Sequence, residues 1–216
     1  MKGHLITFEG LDGCGKSTQA SLLSAYLEEK GMPVLVTREP GGPPISEKIR
    51  ELILDPSHRE MTRLTELFLY LASRSQHVVQ VIMPALEKGF LVISERFTDS
   101  SVAYQGYGRG IDPEVVKGLN RLATNGLSPQ LTFVLDINPQ LALERVEGCR
   151  PKDRLESQNL EFYIRVREGY LALEREEKRI NLIDGRREIE KVGEEIKDIV
   201  NSFLKEESER GNSHEK

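Results

Sequence analysis

The 216-residue chain has no tryptophan and only two cysteines, Cys14 and Cys149. Without Trp, nothing points to a large aromatic binding surface. Two cysteines make no disulfide framework, and no Cys/His group has zinc-site spacing. No apolar run approaches the roughly 18 residues needed to span a bilayer. Residues 1–4 lead straight into a strand-like segment, which leaves no room for a signal peptide. Positive charge is short as well: the formal net charge is −5. Dedicated nucleic-acid binders are usually basic. The expectation is a cytoplasmic protein with neither nucleic acid nor membrane as partner, in which any anionic ligand is met by a local gathering of Lys and Arg. The residues that are present, 38% hydrophobic and 30% charged, fit a globular chain rather than a disordered one. The length suits one compact domain with an insertion.

Strand-like and helix-like segments alternate. Leu5–Phe8, Val34–Val36, Phe90–Ile93, Leu131–Leu135 and Ile180–Ile183 are short, apolar and rich in β-branched residues. Helical spacing is expected over 16–29, over Ser46–Leu54, from Thr62 to Leu86 with a kink at Pro84, from Asp112-Pro113 to about Asn125, from Pro139, over 159–176, and from Arg187 to Leu204. Residues 205–216 read as a frayed polar tail. Five apolar strands separated by helices imply an α/β fold, a parallel sheet covered on both faces. Its ligands are expected at the carboxyl ends of the strands.

Gly10-Leu11-Asp12-Gly13-Cys14-Gly15-Lys16-Ser17 matches G-x-x-x-x-G-K-S/T between the first strand and the first helix. Glycines let the backbone approach an anion closely. Successive N–H groups then form a nest, and the helix start adds its positive end. Lys16 brings a mobile charge, and Ser17 offers a hydroxyl to Mg²⁺. The nucleotide-binding set is therefore Gly10, Leu11, Asp12, Gly13, Cys14, Gly15, Lys16, Ser17 and Thr18, with ATP and Mg²⁺ as cofactors. Cys14 reads as a small residue in a tight turn rather than a redox switch. The only D-x-x-G lies inside this loop and N-K-x-D is absent, which excludes a GTPase reading.

Other polar clusters follow strand ends: Arg38-Glu39-Pro40-Gly41-Gly42, Glu95-Arg96-Phe97 and Ser100-Ser101-Val102-Ala103-Tyr104-Gln105-Gly106. Tyr70 and Arg74 lie one helical turn apart and share a face. Alone, Arg74 could be a surface ion pair with Glu66 or Glu87, and Tyr70 a core residue. Together they equip one sheet edge for a second anionic ligand with a planar base, because arginine binds phosphate bidentately and an aromatic ring stacks. Residues 147–158 are charged and lack an apolar stripe. They read either as a solvated loop or as a lid that brings positive charge to a transferring phosphoryl group.

Those segments, with Thr7-Phe8-Glu9-Gly10-Leu11-Asp12-Gly13, Leu69-Tyr70-Leu71-Ala72-Ser73-Arg74 and Asp153-Arg154-Leu155-Glu156, resemble the bacterial thymidylate kinases from residue 4 to about 204. The resemblance implies a P-loop three-layer domain, 1–204, that phosphorylates dTMP to dTDP, and a homodimer using part of the helix from Thr62. It implies that Tyr70, where the family usually has Phe, stacks on thymine and that Arg74 bonds the base. It further implies that Arg96, with Arg38 nearby, holds the dTMP phosphate, that Ser101 and Gln105 meet base or sugar, and that Tyr104 lies against the deoxyribose. Asp12 would bind the 3′-hydroxyl or orient Mg²⁺ through water. Glu95 stands where the family usually has Asp, with a metal or water role. Gly13 stands where some members carry Arg, which resembles the lid-arginine type. Arg154 is then the first choice for the transition-state cation and Arg150 the second. Adenine would sit near Ile183-Asp184-Gly185-Arg186. Another nucleoside or nucleotide kinase on the same fold, or a nucleotide-binding module without transfer, are the alternatives.

Overall fold

The computed structural model describes residues 3–147, 153–155 and 157–213. The strands are β1 (His4–Glu9), β2 (Val34–Arg38), β3 (Leu91–Glu95), β4 (Leu131–Asp136) and β5 (Ile180–Asp184). They form one parallel sheet in the order β2-β3-β1-β4-β5. Successive side chains point to opposite faces, so neighbours in sequence fall into different apolar clusters. Ile6, Phe8, Ile93 and Phe133 pack with Leu23 and Leu27 of α1 (Lys16–Glu29) and with Val192, Ile196 and Val200 of the last helix. Leu5 and Val92 pack instead with Val78, Ile82, Ala85 and Phe97.

The remaining helices are α2 (Pro44–Leu54), α3 (Arg63–His77), α4 (Met83–Glu87), α5 (Thr98–Ser101), α6 (Pro113–Ala123), α7 (Pro139–Val146), α8 (Leu160–Glu176) and α9 (Ile189–Ser213). Short polar residues start several of them as the sequence suggests. Thr62 accepts from the Thr65 N–H, Asp112 from Glu114, Asn138 from Gln140 and Asn159 from Phe162. The expected long helix from Thr62 is interrupted by a π turn over Val78–Ile82. Pro84 has no N–H for the carbonyl four residues back, so the ladder changes register just ahead of it. A second π turn, Val102–Gly108, follows α5. The last helix does not end at Leu204 but runs to Ser213. Its polar extension contains good helix formers, and Arg210 pairs with Glu206 and Glu207 one turn back.

All five strands end in a charged residue: Glu9, Arg38, Glu95, Asp136 and Asp184. Parallel strands bring these ends to one edge, where the connections to the helices build the site. No described helix is long and apolar enough to cross a membrane.

Candidate active site

The segment from Gly10 to Ser17 turns between β1 and α1 on glycines with positive φ. At Gly10 (φ 128°) a Cβ would lie 2.6 Å from the Leu135 carbonyl oxygen, and at Gly13 (φ 77°) 2.8 Å from that of Ala142. A side chain at position 13 would therefore strain the backbone and meet α7, so this loop does not carry its own arginine. Gly15 caps α1 without a side-chain acceptor, which leaves the first helix amides free for an anion. Lys16 Nζ donates to the carbonyls of Leu11 (2.8 Å) and Gly10 (3.3 Å). Cys14 is a buried free thiol in the turn. Ser17 Oγ donates to Glu95 Oε2 at 2.6 Å, so two hard oxygens stand together at the loop mouth. Mg²⁺ favours such carboxylate and hydroxyl oxygens, completed by water and phosphate, and these two residues fit it. A cavity of about 1100 Å³ opens here, bordered by Lys16, Ser17, Thr18, Glu95, Arg38 and Arg96.

A second, narrower cavity of about 570 Å³ lies beyond, with Tyr70, Arg74, Arg96, Ser101, Tyr104 and Gln105 in its wall. The two cavities share Asp12, Glu39, Arg50 and Arg96. Arg96 stands at the join. Its Nη2 bonds Asp12 Oδ1 at 2.7 Å and the Tyr104 hydroxyl at 3.2 Å, and its Nη1 bonds the Gly10 carbonyl at 3.0 Å and Ser100 Oγ at 3.1 Å. Its backbone is left-handed (φ 66°), held by its own N–H to the Phe8 carbonyl and by the next N–H, Phe97, to Glu9 Oε1. A non-glycine residue in that region stores strain of about 1–2 kcal/mol and aims the side chain where a regular strand end would not.

Arg74 is 1% exposed. Nε meets Glu39 Oε2 at 2.7 Å, Nη1 meets Ser101 Oγ (2.9 Å) and Asn120 Oδ1 (2.6 Å), and Nη2 meets the Phe97 carbonyl at 2.9 Å. Behind Arg96, the buried Glu9 also accepts from Ser100 Oγ (2.5 Å) and the Tyr170 hydroxyl (3.1 Å). Burial, with Asp99 nearby, pushes the Glu9 carboxyl up to about 7, against the pull of Ser100 and Arg96. The arrangement can hold two phosphate-bearing ligands end to end, with cations at the join and water largely displaced from the inner cavity.

Residues 8–196 match the family model for thymidylate kinase. The chain belongs to the thymidylate kinase family. It is 49% identical over 200 residues to the thymidylate kinase of Carboxydothermus hydrogenoformans, covering 93% of this chain and 98% of that one. Identity to the thymidylate kinase of Thermoanaerobacter sp. (strain X514) is 46% over 205 residues, covering 94% of this chain and all of the other. The crystal structure of thymidylate kinase from Ehrlichia chaffeensis superposes with a TM-score of 0.75 at 34% identity, over 93% of this chain and 99% of that one. The P-loop fold and the kinase class are those of the family.

Asp12, Lys16, Ser17 and Glu95 gather at the loop, and Tyr70, Arg74, Arg96, Ser101, Tyr104 and Gln105 gather in the second cavity. Arg38 is placed differently from the expectation. Its side chain is 45% exposed, paired with Glu47 at 3.0 Å, and it borders only the larger cavity. Arg50 of α2 borders both. The larger departure is Arg154. Its guanidinium is turned away from the phosphate loop, with Nε donating to the Ile53 carbonyl (2.8 Å) and Nη2 2.7 Å from Glu66 Oε2. The buried carboxylate holds it, because a lone buried charge is costly and each here neutralises the other. Arg150 lies outside the described residues, as do Cys149 and most of the expected lid. In the turn after β5, Arg145 Nη1 donates to the carbonyls of Gly13 (3.4 Å) and Gly185 (3.2 Å), so it bridges the loop to the Asp184–Arg186 region.

Sequence reasoning missed Glu9, Glu39, Glu66 and Arg50. Glu9 and Glu39 carry a usable signal, a carboxylate directly at a strand's end. Glu66 and Tyr70 are one helical turn apart, as are Tyr70 and Arg74, so the spacing 66-70-74 was available too.

Proposed function

We propose that the chain transfers the γ-phosphoryl group of ATP to dTMP, giving dTDP and ADP. The observation that carries this reading is the meeting of the two cavities at Asp12 and Arg96, one beginning at a phosphate loop and the other walled by Tyr70 and Arg74. The ATP phosphates lie against the Gly10–Ser17 amides and Lys16. Ser17 and Glu95 are the residues that would hold Mg²⁺, which neutralises charge across the β- and γ-phosphates. Arg96 and Arg50 bind the dTMP phosphate, Tyr70 lies on the base, Arg74 and Gln105 read its edge, and Tyr104 closes on the sugar. Asp12 orients the acceptor through Arg96. No strong general base is needed, since a phosphate oxygen with a second pKa of about 6 is already ionised at neutral pH. Positioning and cations do the rest.

The lid is residues 147–158, within one kinase domain. Arg150 then supplies the lid cation, while Arg154 in its described position braces α2 and α3. The protein acts in the cytoplasm as a homodimer, through the face of α3 that leaves Leu64 and Phe68 about half exposed. The deciding experiment measures ADP release from purified protein with ATP, Mg²⁺ and each nucleoside monophosphate in turn. Preference for dTMP is expected. Equal or faster turnover of AMP, CMP or UMP, or of unphosphorylated thymidine, overturns the reading.

A further inference from the structure

Glu66, Tyr70 and Arg74 stand one turn apart along α3. Glu66 is 1% exposed and lies outside the wall of the base cavity, so it touches no ligand there. Its Oε1 accepts from Gln105 Nε2 at 2.9 Å and from Arg109 Nε at 3.1 Å. Its Oε2 accepts from Arg109 Nη2 at 2.9 Å and lies 2.7 Å from Arg154 Nη2. Burial pushes this carboxyl up, but the two arginines and Gln105 more than offset it, and it sits below the usual carboxylate range. It is therefore ionised at neutral pH and can only accept hydrogen bonds.

That decides the orientation of Gln105. The amide has one donor end and one acceptor end, and a half-turn about its last bond would exchange them. Facing an ionised carboxylate, only the NH₂ end is allowed, because the reversed amide would set two oxygens against each other. Gln105 Oε1 takes no hydrogen bond among the described residues, and Gln105 is part of the base-cavity wall. The neighbouring Arg74 has four of its five N–H groups committed, which leaves one Nη2–H for the same cavity. The cavity thus offers a fixed acceptor beside a fixed donor.

We propose that Glu66 is a positioning residue for base specificity: it locks the Gln105 amide so that an acceptor faces the ring nitrogen of the bound pyrimidine. A pyrimidine with a ring N3–H and a C4 carbonyl satisfies Gln105 and Arg74 together. Cytosine presents an acceptor at N3 and an amino group at C4 and opposes both. The proposal rests on the dTMP reading above and says how that preference is enforced from outside the pocket.

The test compares kcat/KM for dTMP, dCMP and N3-methyl-dTMP in the wild type, Glu66→Gln and Glu66→Asp. The wild-type panel is read first. If the wild type does not prefer dTMP to dCMP, the functional reading fails, whatever Glu66 does. In Glu66→Gln the facing amide tolerates either orientation of Gln105, so the dTMP-to-dCMP ratio should fall about 10- to 100-fold, the scale of one misdirected buried hydrogen bond. The penalty for N3-methylation should shrink in parallel, and KM for ATP should stay put. Glu66→Asp keeps an acceptor-only group and should keep the ratio even if turnover drops. Equal loss for dTMP and dCMP in Glu66→Gln, with the ratio unchanged, means a merely structural role and overturns the proposal. Should Glu66→Gln not fold, wild-type protein with ¹⁵N-glutamine gives the answer by NMR. The Gln105 side-chain NH₂ should be protected from exchange both free and with dTMP, and loss of that protection on dTMP binding overturns the proposal.

Discussion

Arg96→Lys separates charge from geometry at the point where the cavities join. Lysine keeps the positive charge but is a point donor on a flexible stem, whereas the guanidinium engages Asp12, Tyr104, Gly10 and Ser100 at once, at 2.7–3.2 Å. The ammonium can satisfy one side of that set, so two charge-assisted contacts are lost. At about 1.5–3 kcal/mol each, the loss is about 3–6 kcal/mol, or roughly 10²–10⁴ in rate constant. Because the guanidinium orients both Asp12 and the acceptor phosphate, the loss should fall on kcat/KM for dTMP, measured by coupled ADP release at saturating ATP. ATP affinity, titrated directly, should change less than about threefold, since Lys16 and the loop amides are untouched. The left-handed backbone strain is the same for Lys as for Arg, so thermal stability should move little. A drop of less than about fivefold, or an equal loss of ATP affinity, would refute the placement of Arg96 at the join.

Glu95→Gln removes the carboxylate that accepts from Ser17 at 2.6 Å. The Mg²⁺ concentration for half-maximal turnover should rise about 10- to 100-fold, the usual range for loss of a metal-site partner, with KM for dTMP unchanged. Tyr70→Phe should change KM for dTMP less than threefold, because no described residue pairs with the hydroxyl and the ring does the stacking. Tyr70→Ala should raise that KM at least tenfold, as checked by steady-state kinetics. Glu9 titrates higher in the folded protein than the ordinary value of 4.5, at about 7. Its contribution to stability is therefore fully present below pH 4.5 and is lost as pH rises through about 7. Glu9→Gln cannot titrate, so in denaturant melts it should gain on the wild type between pH 5 and pH 8. A constant difference across that range would mean that Glu9 is not held protonated.

The strands, the phosphate loop and most helix starts were legible because their causes are local. A run of β-branched residues, a glycine pattern followed by Lys-Ser, and a capping Asp or Asn act on neighbours a few residues away. The interruption at Val78–Ile82 needed one further step, the reach of Pro84 back to a carbonyl four residues earlier. The end of the last helix was misread because a polar composition suggests fraying, whereas Glu and Arg at turn spacing continue a helix.

The buried carboxylates are different in kind. Glu9 meets Ser100 and Tyr170 from 91 and 161 residues away, and Glu66 meets Gln105 from 39 residues away. No local pattern marks such pairs, because burial and partner are properties of the packed sheet edge. Arg154 shows the same limit. In sequence it sits in a charged loop and could serve either as lid cation or as brace, and only the proximity of Glu66 and the Ile53 carbonyl places its guanidinium against α2 and α3. By itself, then, the sequence determined the class of fold, the loop that binds phosphate and the residue types available for a second ligand. The tertiary structure decided which cations face the cavities, which are neutralised behind them, and which way the Gln105 amide points. Those are electrostatic outcomes, set by which charges the parallel strand ends bring within about 3 Å of one another.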